Sequence, residues 1–116
     1  MIKFINPKDL YKILIERRDD FDLLDIRSKD EYLKFHLPGA VMLNINSMSF
    51  IDYHPTKDVG IFYCSTSRRT LDYIDDIKEI PYKNHYILLG GLNSWKKLLL
   101  PVCSEEKCKC AEYSSQ

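Results

Sequence analysis

The run Val59-Gly60-Ile61-Phe62-Tyr63 leads into a polar loop, Cys64-Ser65-Thr66-Ser67-Arg68-Arg69, beyond which Leu71, Ile74, Ile77 and Ile80 recur every three residues. A short apolar run bounded in this way reads as a strand buried in a sheet. The pattern behind it reads as an amphipathic helix, Leu71 to Ile80, with Asp72, Asp75, Asp76 and Glu79 on its other side. Strand, loop and helix in that order make a parallel sheet the natural solution, because successive parallel strands need a crossover between them.

The same order recurs along the chain. Ile2 to Ile5 reads as a first strand, Asn6 as a helix cap and Pro7 as the first helical position; Leu10, Ile13 and Leu14 then give one apolar face up to about Arg18. Phe21 to Ile26 is a second apolar run. Lys29 to Phe35 predicts a short helical turn, which Pro38-Gly39 ends before a strand at Ala40 to Leu43, and Ser47 to Tyr53 predicts another short helix. His85 to Leu89 is a further strand. Gly90-Gly91 permits a tight turn into a last helix with Leu92, Trp95 and Leu98 facing inward. Alternating strands and helices predict an α/β fold, a small parallel sheet flanked by helices on both faces.

A chain of 116 residues has room for one domain with one core, expected over residues 1–100. Residues 101–116 are irregular and polar, and read as a flexible tail of exposed thiols at Cys103, Cys108 and Cys110. Cys108-Lys109-Cys110 is too tight for the usual zinc pair, and no histidine follows it, so no metal is expected. Lysine plus arginine equals aspartate plus glutamate, 17 of each, which argues against nucleic acid or an anionic membrane as a partner. No apolar run approaches bilayer length. Met1 to Pro7 lacks a signal-peptide layout, so the cytoplasm is the expected compartment, where cysteines are expected as thiols.

Cys64 stands where a strand gives way to a helix. In a parallel sheet, ligands bind beyond the carboxyl ends of the strands. A loop there can curl so that several N–H groups point at one spot, and the helix start adds unpaired donors and positive potential. A cysteine so placed is pushed toward the thiolate, its reactive form, and Arg68 and Arg69 add positive charge. The pattern describes a nucleophile that attacks and then holds an anionic adduct. Asp25 and Arg27 end a strand at the same sheet edge. They are expected to tie the loops together by charge-assisted hydrogen bonds. His36 is expected to satisfy loop backbone groups, while His54 and His85 have no partner at metal spacing.

Three segments resemble rhodanese-like domains. Asp25-Ile26-Arg27, Glu31-Tyr32 and His36-Leu37-Pro38-Gly39-Ala40 are similar to the N-terminal signature of that family. Cys64, with four residues before Arg69, resembles its six-residue active-site loop, and Leu89-Gly90-Gly91-Leu92 with Trp95 its closing motif. Together they cover roughly residues 22 to 98 in the family's order. One position departs: Ser67 stands where the family's loop usually has glycine, which costs about 1 kcal/mol if that residue takes positive φ.

The resemblance implies a sulfurtransferase. Cys64 would take the outer sulfur of a small donor such as thiosulfate or a persulfide, and pass it to a thiophilic acceptor, a thiol or protein among them. Arg69 would be its catalytic partner, and Ser65, Thr66, Ser67, Arg68, Thr70 and Arg27 would bind substrate. No cofactor is implied, and a monomer is expected. Two other readings are related arsenate reductases or dual-specificity phosphatases, and a non-catalytic partner-binding module. The first class uses a loop one residue longer, with arginine where this chain has Thr70.

Overall fold

The computed structural model describes residues 2–44 and 53–104. Five strands, β1 (Ile2–Ile5), β2 (Asp22–Asp25), β3 (Val41–Met42), β4 (Val59–Tyr63) and β5 (Asn84–Leu88), form one sheet in the order β1-β5-β4-β2-β3. Every neighbouring pair is parallel. The connecting helices are α1 (Pro7–Glu16), α2 (Lys29–Lys34), α3 (Arg68–Asp72), α4 (Ile74–Glu79) and α5 (Gly91–Lys97), with a 3-10 turn at Arg18–Asp20. This is the α/β architecture that the alternating pattern predicts.

The core divides across the sheet. On one face Leu10 and Leu14 of α1 and Leu92 and Trp95 of α5 pack with Leu23, Ile61, Tyr63 and Leu88. On the other, Ile77 of α4 and Ile80 pack with Leu24, Phe62 and Tyr82. Successive side chains of a strand point to opposite faces. Ile61 and Tyr63 therefore enter one cluster and Phe62 the other, which is why β4 is apolar throughout. The middle strand thus has both faces covered, and its carboxyl end delivers Cys64 between the helices.

Local signals explain the starts of α1 and α2. The Asn6 side chain accepts the Asp9 N–H at 2.9 Å, and Pro7 occupies the first turn of α1. Ser28 and Glu31 form a reciprocal capping box at α2.

The structure differs from the sequence pattern in three places. The helix expected over Leu71 to Ile80 is broken at Tyr73. A three-residue repeat falls short of the 3.6 residues of a helical turn, so its apolar side chains drift around one straight helix. Two short helices re-aim them: Ile77 and Ile80 are buried, while Leu71 is exposed. Leu98, expected to face inward, is exposed beyond the end of α5.

The third difference lies after Leu100. Trp95 Nε1 donates to the Pro101 carbonyl at 2.8 Å, and Val102 packs against the core. Cys103 exchanges two backbone hydrogen bonds with His36, at 2.8 and 2.9 Å. The exposed thiol expected at Cys103 is therefore corrected: the residue is buried and disulfide-bonded. A short apolar segment that finds a groove beside Trp95 and an edge at His36 is ordered by contacts no local pattern announces. Cys108 and Cys110, and the helix expected over Ser47 to Tyr53 except Tyr53 itself, lie outside the described residues.

Candidate active site

Three structural pieces converge on Cys64. The first is its own loop, which joins β4 to α3. Ser67 caps α3 with φ 78°, ψ −19°, in the left-handed region where glycine is favoured. The serine side chain is turned inward. Its hydroxyl donates to the Leu88 carbonyl at 3.2 Å and accepts the Gly90 N–H at 2.6 Å. These two bonds fasten the strained residue to the turn after β5.

That turn is the second piece. Gly90 and Gly91 take φ of 73° and 60°, and a Cβ on Gly91 would lie 2.4 Å from the Cys64 carbonyl oxygen. Only glycine lets the start of α5 come this close. The approach allows Leu92 N–H to donate to the Cys64 carbonyl at 2.8 Å and Asn93 N–H to the Ser65 carbonyl at 2.9 Å. The carbonyls of Cys64 and Ser65 are thus occupied from behind. The N–H groups of Ser65, Thr66 and Ser67 donate to no acceptor among the described residues.

The third piece is α2. Its Glu31 grips Arg69 bidentately, Nη1 to Oε1 at 2.8 Å and Nη2 to Oε2 at 3.0 Å. The hydrogen bond from Arg69 holds the Glu31 carboxyl down at about 2, and the same contact raises the arginine. Glu31 is one residue that sequence reasoning missed as part of the site, and Asp72, which lines the cavity around Cys64, is another. The Ser28-x-x-Glu31 capping pattern could have flagged Glu31 as held in place, but nothing local says that it meets a residue 38 positions away.

Around Cys64 these pieces leave a cavity of about 200 Å³, lined by Cys64, Ser65, Thr66, Arg68, Arg69 and Asp72. The cysteine is a free thiol, buried at 1% exposure. Thr70 is buried behind it, with Oγ1 3.7 Å from Cys64 Sγ, and donates its hydroxyl to the Ser67 carbonyl at 2.6 Å. Of the residues expected at the site, Cys64, Ser65, Thr66, Arg68 and Arg69 line the cavity. Ser67 and Thr70 support it from within.

Arg27 is not brought there. It is buried against Asp25, with Nε at 3.0 Å from Oδ1 and Nη2 at 2.8 Å from Oδ2, and Nη2 also reaches the Phe35 carbonyl. Burial pulls this guanidinium down, but Asp25 outweighs it and leaves the group above its ordinary value. The expected charge-assisted tie between loops describes this contact, and the expected substrate contact does not. Its side chain points to α2 because both carboxylate oxygens and the Phe35 carbonyl take its donors. His36 behaves as expected, its Nδ1 lying 2.8 Å from the Tyr32 carbonyl.

Fold and site together describe a doubly covered parallel domain whose middle strand presents a cysteine in a loop beside a small cavity. The sequence matches the family model of the rhodanese-like domain over residues 6–98, and the chain belongs to that family. Among curated relatives it is 28% identical over 101 residues to a probable molybdopterin-synthase adenylyltransferase of Pyropia yezoensis, covering 84% of this chain but 26% of that one. The chain thus spans about a quarter of that relative's length. It is also 24% identical over 97 residues to the thiosulfate sulfurtransferase GlpE of Coxiella burnetii, covering 83% of this chain and 89% of GlpE. In structure it superposes on a rhodanese-related protein from Thermoplasma volcanium with a TM-score of 0.73 at 19% identity, covering 89% and 99% of the two chains. That likeness extends to the fold. Among the described residues no helix is long and apolar enough to cross a membrane.

Proposed function

We propose that the chain is a sulfurtransferase that carries sulfane sulfur on Cys64. The observation that supports this most directly is the pairing of a buried free thiol with a cavity of about 200 Å³ beside the uncommitted N–H groups of Ser65, Thr66 and Ser67. The Cys64 thiolate attacks the outer sulfur of a donor such as thiosulfate. A Cys64–S bond forms, the donor's S–S bond breaks, and sulfite leaves with the electron pair. The loop N–H groups hold the terminal sulfur anion of the resulting persulfide, and Arg69 adds positive charge at the loop's edge. A thiophile such as cyanide or a thiol then attacks that sulfur and returns the electron pair to Cys64. A protein acceptor fits the same chemistry, in keeping with relatives named adenylyltransferase and sulfurtransferase.

The test is mass spectrometry of the Cys64 peptide, digested without reductant after thiosulfate treatment. It should gain one sulfur, and Cys64→Ser should abolish turnover to cyanide. Normal turnover in Cys64→Ser overturns the proposal. Clear Cys64-dependent hydrolysis of an aryl phosphate, or thiol-dependent reduction of arsenate, would replace it with the related oxyanion chemistry.

A further inference from the structure

The cavity carries an unusual charge arrangement. Its lining includes two cations, Arg68 and Arg69, and one anion, Asp72. Arg69 is already spent on Glu31. Arg68 and Asp72 remain; both are exposed, and neither forms an ion pair with any described residue. They stand four residues apart on α3, so they share one side of that helix at the solvent side of the cavity. Adding Glu31 to the lining charges, two positive and two negative, leaves no net charge beside the sulfur site. Among the described residues, the cavity lining thus keeps one cation and one anion outside any ion pair, four residues apart on one helix.

We propose that Arg68 and Asp72 select an amino-acid thiol as sulfur acceptor, Asp72 taking its ammonium group and Arg68 its carboxylate while its sulfur faces Cys64. This rests on the sulfurtransferase reading above. Arginine suits a carboxylate because its planar donors match the two oxygens, and aspartate is a pure acceptor that suits an ammonium. The acceptor's thiolate attacks the outer sulfur of the Cys64 persulfide. The new S–S bond joins that sulfur to the amino-acid thiol, the old one breaks, and the electron pair returns to Cys64 as thiolate. The product is the persulfide of the amino acid.

Four acceptors test it: cysteine, cysteamine with the ammonium alone, 3-mercaptopropionate with the carboxylate alone, and 2-mercaptoethanol with neither. After correction for each thiol's ionisation, kcat/KM should be highest for cysteine. Asp72→Asn should lower the ratio of cysteamine to 2-mercaptoethanol about two- to fivefold, the range of a solvent-exposed charge contact, and Arg68→Gln should lower the ratio of 3-mercaptopropionate to 2-mercaptoethanol by a similar factor. A second measurement needs no sulfur transfer. Modification of Cys64 by a cationic and by an anionic methanethiosulfonate should show a rate ratio that Asp72→Asn shifts toward the anion and Arg68→Gln toward the cation. Equal acceptor ratios in wild type and both variants, with unshifted modification rates, overturn the selection while leaving persulfide chemistry intact. Absence of any Cys64 persulfide, with modification rates that do shift, overturns the sulfurtransferase reading instead.

Discussion

Two bidentate pairings of a carboxylate with a guanidinium, Asp25 with Arg27 and Glu31 with Arg69, are opposite in consequence. Asp25 and Arg27 have side chains 0% and 4% exposed, while Glu31 and Arg69 are 34% and 40% exposed. Both show hydrogen bonds of 2.8 to 3.0 Å. In the first pair every charge must be compensated within the protein, because water cannot reach it. It joins the end of β2 to the end of α2 and to Phe35, and so sets where α2 lies. In the second pair, water screens both groups and the contact contributes little to stability. It instead sets where Arg69 sits beside the cysteine. The same chemistry is architectural when buried and tunes a site when half-buried.

Breaking the buried pair should have the largest effect. Asp25→Ala leaves the Arg27 guanidinium without its partner in the interior, and should destabilise the domain by about 3–5 kcal/mol in urea unfolding. A loss below about 1 kcal/mol would show that water enters and that the contrast between the two pairs is false.

Arg69→Ala should spare stability and cost activity. It should lose about 1–3 kcal/mol of transition-state stabilisation, read from kcat/KM for thiosulfate, with Arg68→Ala losing less. An equal or larger loss at Arg68 would move the charge that supports the proposed Cys64 persulfide from one arginine to the other.

Ser67 tests whether side-chain bonds can hold a strained residue. Ser67→Ala keeps the positive φ and loses the bonds to Leu88 and Gly90, so it should cost about 1–2 kcal/mol of stability. Ser67→Gly relieves the strain but loses the same bonds, and should fall between the alanine variant and wild type. Equal stability of the alanine variant and wild type would show that the hydroxyl does not secure the loop.

The smallest effect is the pH dependence of the exposed pair. Arg69 depresses Glu31 from 4.5 to about 2, so its stabilisation is fully present above pH 4.5 and is lost as pH falls through about 2. At neutral pH Glu31→Gln should cost no more than about 1 kcal/mol after solvent screening, and the difference from wild type should vanish in strong acid and shrink in high salt. A difference that persists at pH 1.5 would mean that Glu31 acts through its helix cap and not through Arg69.

The sequence alone carried the parallel sheet, the order of its elements and the position of Cys64. Each rests on a local cause: the apolar runs that become β4 and β2, the Asn6 cap, the glycines of the Gly90-Gly91 turn, the loop after Tyr63. Arg68 was legible as a residue of the site, whereas Asp72 was legible only as a charge on the polar side of a helix and not as part of a cavity. Tertiary structure alone decided the rest. It placed Glu31 on Arg69, turned the Ser67 hydroxyl to Leu88 and Gly90, buried Arg27 away from the loop, and laid Cys103 against His36. These are contacts between residues that are distant in the chain or folded back on one another across two loops. Their partners are chosen by how the helices settle on the sheet, and a side chain's chemistry states what it can bind without stating what will come within reach.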